Sequence, residues 1–404
     1  MRKQFILTTL LVMSFIALHA GGYQVRLQSS RSIGMGLTGT ALQMGASSMF
    51  YNPGALAMMQ SKADFSLGIS GINSLISFQK FESDITAETD NSMSTPFYVY
   101  GAGKINEKWS VGLAIYTPYG NSSKWEDSWA GRLLIQNIAL QAIFFQPTIA
   151  YKISDKIGIG AGLVYATGKV EIQKGLNYGP DSYVYLDGST SNIGFNIGLY
   201  FEAIDKLSFG LNYRSEIVME VSGGDATFNV PAAVGTSIPA SNKFDAALPM
   251  PANLDFGVSY QATEKLLLSA EINYVMWEAY KELEFKFEQQ GELLNSINIR
   301  DFKNTIIPRI GIEYVYSDLL TFRIGGYYDP SPANEKYFTP ETVSLNNLAF
   351  TLGLSITPSE KLSIDLSYLQ IHGLQATKTY EPDQFGGTYE TAAYIPGIGV
   401  SYRF

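Results

Sequence analysis

The chain has 404 residues, no cysteine, a formal charge of −9, only 16% charged residues, and 26 Tyr, 23 Phe and 38 Gly. The absence of cysteine excludes disulfide scaffolds and thiol chemistry, and an acidic chain is a poor binder of nucleic acid. No apolar run after residue 20 is long enough for a spanning helix, so an aromatic- and glycine-rich composition points to a transmembrane β-barrel.

Met1-Arg2-Lys3, an apolar run from Phe5 to Leu18 and Ala20-Gly21-Gly22 read as a secretory signal peptide over 1–20. Its removal takes the formal charge from −9 to −11. Residues 21–61 show no period of two and precede the first clear strand, at about Ala63 to Phe81. A segment of this length ahead of a closed barrel is expected to sit inside it as a plug, leaving 62–404 as the barrel. Gly34-Met35-Gly36-Leu37-Thr38-Gly39 matches a dinucleotide fingerprint letter for letter. No strand precedes it and no βαβ unit follows, so close packing of the plug explains the glycines better. Met35, Met44, Met49, Met58 and Met59 fall within 25 residues. Unbranched, polarizable side chains suit irregular apolar ligands and equally fill gaps against a barrel wall; Phe50 and Leu56 are open to the same two readings.

From Ile157 onward the strands alternate. Leu207, Phe209, Leu211 and Tyr213 oppose Ser208, Gly210, Asn212 and Arg214. Leu254, Phe256, Val258 and Tyr260 oppose Asp255, Gly257 and Ser259. Leu362, Ile364, Leu366 and Tyr368 oppose Ser363, Asp365 and Ser367. One face is apolar and ends in an aromatic residue; the other is small or polar with isolated charges. That second face suits a lumen better than the Lys- and Glu-rich surface of a soluble sandwich. Six short connections, at Asn106-Glu107, Ser154-Asp155, Ile204-Asp205, Thr263-Glu264, Tyr316-Ser317-Asp318 and Pro358-Ser359-Glu360, alternate with seven long ones. The long ones lie at about 81–95, 119–139, 175–189, 223–249, 288–302, 330–345 and 373–390. This rhythm predicts fourteen antiparallel strands with short periplasmic turns and long extracellular loops. The last strand ends Ile398, Val400, Tyr402, Phe404, in the manner of an outer-membrane assembly signal. The barrel assembly machinery and outer-membrane lipid are therefore expected partners, and a chain that closes its own barrel is expected to be a monomer. Alternation also places Arg214, Glu216, Asp255, Glu271, Arg309, Glu313, Arg323 and Asp365 inside the lumen, where mixed charges pair and anchor a plug.

Several short motifs now make a set. They are Gly22-Tyr23-Gln24, Ser30 through Gly36, Tyr51-Asn52-Pro53-Gly54-Ala55-Leu56, Thr117-Pro118-Tyr119-Gly120 followed by Trp125, Trp129, Gly131 and Arg132, Tyr213-Arg214-Ser215, Leu248-Pro249 with Pro251-Ala252, Trp277, and Arg323 through Pro332. In this order they resemble the FadL family of outer-membrane transporters of long-chain fatty acids, with relatives that import aromatic hydrocarbons. Gly54 stands where the family usually has alanine, Asn304 where an aspartate is common, and Asn346-Asn347 lacks a familiar acidic-basic pair.

The resemblance implies a fourteen-strand barrel, an N-terminal hatch carrying Asn52-Pro53, and capture of a hydrophobic ligand between extracellular loops. It further implies an apolar pocket inside and sideways release at a kink of the third strand. Here that strand runs about Trp109 to Thr117 and breaks at Pro118 and Gly120, so Tyr116, Pro118 and Gly120 are the candidate lateral gate. Pro118, which cannot donate to a ladder, also suits a plain strand end. Trp125 and Trp129 are candidates for the capture groove or for the aromatic belt, and Arg132 for meeting an anionic head group. Met35, Phe50, Met58 and Met59 are candidate ligand contacts. No enzyme is expected: His372 is the only histidine after residue 20, and no spacing suggests a metal or cofactor. Two other readings compete, a general porin for polar solutes and a barrel kept as a docking platform for surface or secretion partners.

Overall fold

The computed structural model describes residues 22–235 and 237–404; the expected leader at 1–20 lies outside them. Twenty β-segments form a single antiparallel sheet that closes as fourteen barrel strands. The first strand is β1 (Ala63–Ser70) continued by β2 (Asn73–Lys80). The second joins β3 (Thr86–Glu88) to β4 (Phe97–Lys104). Four long strands follow, β5 (Trp109–Lys124), β6 (Asn137–Ser154), β7 (Ile157–Gly175) and β8 (Tyr183–Ile204). The next four are each built from two segments. These are β9 (Leu207–Arg214) with β10 (Ile217–Asn229), β11 (Ser241–Met250) with β12 (Asn253–Gln261), β13 (Leu266–Val275) with β14 (Glu282–Phe287), and β15 (Ser296–Ile299) with β16 (Thr305–Val315). The ring ends with β17 (Leu320–Asp329), β18 (Asn347–Ser359), β19 (Leu362–Tyr380) and β20 (Phe385–Arg403). β20 pairs back on β1, from Asp64↔Arg403 to Ser70↔Gly397. Closure leaves no sheet edge in the hydrocarbon, where unpaired backbone groups would find no partner.

Alternation sets the two faces. On β8, Ile193, Phe195, Ile197, Leu199 and Phe201 are exposed while Gly194, Asn196, Gly198 and Tyr200 are enclosed. On β1, Phe65, Leu67 and Ile69 face out and Asp64, Ser66 and Ser70 face in. Exposed apolar side chains on a closed barrel form its lipid face. Trp109, Tyr260, Tyr314 and Tyr402 mark the turn end of that face, as an interfacial belt does.

The expected strand count holds, but four boundaries differ. The third strand does not end at Thr117. It continues as β5 to Lys124 across a register shift between Tyr116 and Tyr119. Several polar stretches expected as loops are strand instead: β8 starts at Tyr183, β10 runs to Asn229, and β19 and β20 nearly meet around residues 381–384. Beyond the lipid both faces of a strand can be polar, so alternation stops while the ladder continues. Glu216 is exposed rather than enclosed. It sits in the break between β9 and β10, after which the odd residues Ile217, Met219 and Val221 take over the buried face.

Residues 22–61 are almost wholly buried, in short helices α1 (Ser30–Gly34), α2 (Ser48–Tyr51) and α3 (Pro53–Leu56). They lie against inward-facing wall residues at backbone contact. A Cβ on Gly34 would meet the Gly353 Cα at 2.8 Å, and Gly36, at φ +65°, faces the Ile310 carbonyl. The glycines of the fingerprint-like motif thus serve close approach and a left-handed backbone.

Candidate ligand path through the barrel

Two clusters of buried charge hold the N-terminal segment to the wall. Arg26 reaches Asp255 at 2.8 Å and Glu271 at 3.0 Å, and Glu271 also accepts from Arg309 at 3.2 Å. The other Glu271 oxygen accepts the Gly39 and Thr40 amides, both at 2.9 Å. Nearer the periplasmic end, Arg31 and Arg323 share Glu313 at 2.8 and 2.6 Å, and Arg323 also meets Asp365. The lumenal charges read from alternation therefore pair, Glu216 and Arg214 excepted, and two of their partners are arginines of the segment itself. Arg214 differs in kind. Its guanidinium stacks on the Phe50 ring, 4.5 Å from the centroid, and donates to the Tyr116 hydroxyl, the Gln146 side chain and the Phe50 carbonyl.

The same segment closes a defect in the wall. Past the β5 bulge, the Val25 amide donates to the Pro118 carbonyl (2.8 Å), the Gly120 amide to the Tyr23 carbonyl (3.1 Å) and the Gln28 side chain to the Thr117 carbonyl (2.9 Å). On the other side, the β4 ladder stops at Tyr98↔Tyr116. Beyond it the Phe97 amide takes the Thr117 hydroxyl in place of a backbone carbonyl. Bonds that would have joined strands two and three are thus made with residues 23–28. A cavity of about 530 Å³ lies at this defect, lined by Gln24, Met93, Pro96, Tyr119, Gly120 and Leu140 among others. It adjoins a narrow apolar slot of about 60 Å³ walled by Met219, Val221, Phe244, Met250, Leu283 and Phe285. Asn121, Leu140 and Lys169 line both, so slot and cavity are direct neighbours. Proline at the bulge and glycine two residues on are what allow β5 to leave the ladder there.

The expected site residues separate into two groups. Gly120 lines the cavity and Pro118 supplies its backbone acceptor, while Tyr116 stands beneath them on Arg214. Asn52 caps α3 by accepting the Gly54 amide and donates to the Thr40 and Leu199 carbonyls, with Pro53 packed on Gly160 and Gly198. Met35, Phe50, Met58 and Met59 are buried at contacts within the segment or with the wall and line neither cavity. Trp125 and Trp129 stack at 4.2 Å inside a loop core with Phe78, Ile138, Phe338 and Tyr389. Their indole N–H groups donate to the Pro340 and Ile135 carbonyls. Arg132 is bonded to carbonyls of the β7–β8 connection, closest to Gly179 at 2.6 Å. These three residues hold the extracellular loops together. Trp129→Ala is accordingly expected to cost about 3–5 kcal/mol of local packing. Limited proteolysis should then cut the 126–136 region at least tenfold faster while the barrel stays intact.

Met219 escapes sequence reading because the inward face of its strand changes parity at the break after Arg214. Leu283 and Phe285 keep the odd parity of β13 but lie beyond the break at residues 276–281, outside the alternating stretch that ends at Tyr274. Arg26 and Tyr23 escape because residues 22–28 carry no periodic signal.

The family model for outer membrane protein transport proteins (OMPP1/FadL/TodX) matches residues 10–404. The chain is 26% identical to the 47 kDa outer membrane protein of Pasteurella multocida over 334 residues, 76% of each chain. It is 22% identical to the long-chain fatty acid transport protein of Salmonella typhi, over 95% of this chain and 94% of the relative. Among solved structures, a Pseudomonas aeruginosa FadL homologue superposes with a TM-score of 0.82 at 17% identity, covering 95% of this chain and all of that one. The Ralstonia pickettii toluene transporter TbuX gives 0.70 at 21% identity, over 96% and 99%. Closed barrel, lipid-facing apolar band and a family match over nearly the whole length agree: the chain is an outer-membrane protein of the OMPP1/FadL/TodX family of transport proteins.

Proposed function

We propose that this protein passively imports hydrophobic small molecules, long-chain fatty acids or monoaromatic hydrocarbons, releasing them sideways at the β5 bulge. The observation that supports the reading is that the apolar slot and the cavity at the β5 bulge share Asn121, Leu140 and Lys169 in their walls, with residues 23–28 bonded across the bulge. Relatives named for fatty acid and toluene transport set the cargo class. In this reading residues 21–61 act as the hatch, residues 1–20 as the export signal, and the monomeric barrel delivers cargo into outer-membrane lipid after insertion by the assembly machinery. Each CH₂ of a fatty acid gains about 0.8 kcal/mol on leaving water for an apolar phase. A lateral route therefore runs downhill without energy input, whereas a polar channel would oppose it. The charge clusters at Glu271 and Glu313 support the same direction, because they fill the lumen below the slot with ion-paired side chains.

The test exploits a chain without cysteine. Gln24 and Tyr119 form a bridge across the defect, so Gln24→Cys with Tyr119→Cys gives a disulfide that holds it shut. In cells lacking their own importer, oxidation is expected to lower uptake of radiolabelled oleate or toluene at least fivefold, and dithiothreitol to restore it. Uptake of both compounds unchanged by the lock would refute release at the bulge.

A further inference from the structure

We infer a second lateral opening, between β8 and β10, that connects the apolar slot with the outer leaflet. The inference rests on the cargo reading above but on a different part of the wall. Asn196 pairs with Arg214 and Asp187 pairs with Asp225, with no paired residues between them. Nine steps along β8 thus face eleven along the β9–β10 strand. The two surplus residues fall at the break after Arg214 and at the shift between Val221 and Gly224. Each is a bulge, and together they take the intervening stretch of β10 out of paired register with β8. What spans the seam is side chain: Thr190 Oγ1 donates to the Glu220 carbonyl (2.6 Å) and Asn192 Nδ2 to the Val218 carbonyl (2.7 Å). At its lower end Ser215 closes the gap, its amide donating to the Phe195 carbonyl and its hydroxyl accepting the Phe195 amide.

Behind the seam lies the slot, since Thr190, Met219 and Val221 line it. The inner surface is apolar. A Cβ on Gly168 would meet the Met219 methyl at 2.8 Å, one on Gly188 the Val221 side chain at 2.6 Å, and one on Gly194 the Ile217 side chain at 2.5 Å. Outside, Ile193 and Phe195 are 60% and 43% exposed at the top of the lipid face. Following the ladders across β6 and β7, Tyr116 is in register with Asn192 and Gly120 with Ser189. The two wall defects therefore fall in the same stretch of ladder register, on either side of the four strands β5 to β8. The slot shares Asn121, Leu140 and Lys169 with the cavity at the first and Thr190, Met219 and Val221 with the second. Opening the seam requires two side-chain hydrogen bonds to yield and Met219, unbranched and adaptable, to change rotamer. The ladder itself is already absent. A linear or small planar apolar molecule in the slot thereby reaches lipid without passing residues 23–28.

Two measurements test this. First, Met219→Cys, the single thiol of the chain, is reacted in liposomes with pyrene maleimide dissolved in the bilayer. Thr190→Val with Asn192→Ala, which removes both ties, is expected to speed labelling at least threefold. Labelling indifferent to the loss of both ties would overturn the opening. Second, the Gln24–Tyr119 lock is expected to leave residual oleate uptake that falls to the empty-vector level when Thr190→Cys and Val221→Cys, joined by a short bifunctional methanethiosulfonate, also bridge the seam. A lock that alone brings uptake to that level would overturn the seam as a route. Should the unaltered chain take up neither oleate nor toluene, the cargo reading fails, while the labelling, which needs no cargo, still decides the seam.

Discussion

Replacing Glu271 by alanine is expected to turn a nearly silent barrel into one that conducts steadily in planar bilayers. The carboxylate is 3% exposed and serves four donors at once: Arg26, Arg309 and the Gly39 and Thr40 amides. Truncation leaves Arg309 with only the Asn273 side chain, Arg26 with Asp255 alone and two amides unmatched in the lumen, and removing one partner from a buried ion pair costs about 3–5 kcal/mol. The wall strand keeps its backbone ladder, from Leu266↔Tyr314 to Val275↔Thr305 on one side. The loss therefore falls on the docking of residues 22–61 and not on the barrel. Glu271→Gln keeps the shape and one acceptor and is expected to conduct less than the alanine variant. A silent alanine variant that remains fully folded would show that the charge cluster does not anchor the segment.

The second large effect concerns the slot. Leu283 is buried among Phe285, Met250 and Tyr280, and Leu283→Asp places an unmatched carboxylate against carbon. Burying an unpaired polar group costs roughly 1–3 kcal/mol on mutational scales and more if charged. Binding of radiolabelled oleate to the purified barrel is thus expected to weaken tenfold or more, each factor of ten corresponding to about 1.4 kcal/mol. Leu283→Met, similar in volume and apolar, should bind like the unaltered protein. The heat-dependent gel shift of a folded barrel checks that both variants assemble. Equal binding by Leu283→Asp in its folded form would remove the slot from the ligand path.

Much of the barrel was legible one strand at a time. Leu207 to Arg214 or Leu362 to Tyr368 announce their two faces because the side-chain period of a strand is two, and short turns such as Asn106-Glu107 mark the periplasmic end. The third-strand defect was legible too, through Pro118 and Gly120, although its form was not: the chain bulges and resumes where a strand end was expected. The candidate contacts were less legible. Trp125, Trp129 and Arg132 are the right residue types for catching an amphiphile, yet they hold one another and the loop carbonyls. Residue type does not reveal which partner a side chain has already met. Glu216 and Met219 were lost at the break in strand seven, where one inserted residue reverses the face until the shift after Val221 restores it. Leu283 keeps the odd parity of β13 but lies past the irregular residues 276–281, where the alternating stretch has ended.

Alternation, turn spacing and a terminal aromatic strand, all properties of short stretches, determined by themselves that this chain is a fourteen-strand barrel. Only the tertiary structure decided that Arg26 and Arg31 meet Glu271 and Glu313, that Tyr23 and Val25 complete the ladder of β5, and that nine residue steps of β8 face eleven across an unzipped seam. Each of these depends on the register between segments far apart in sequence, which no local period encodes.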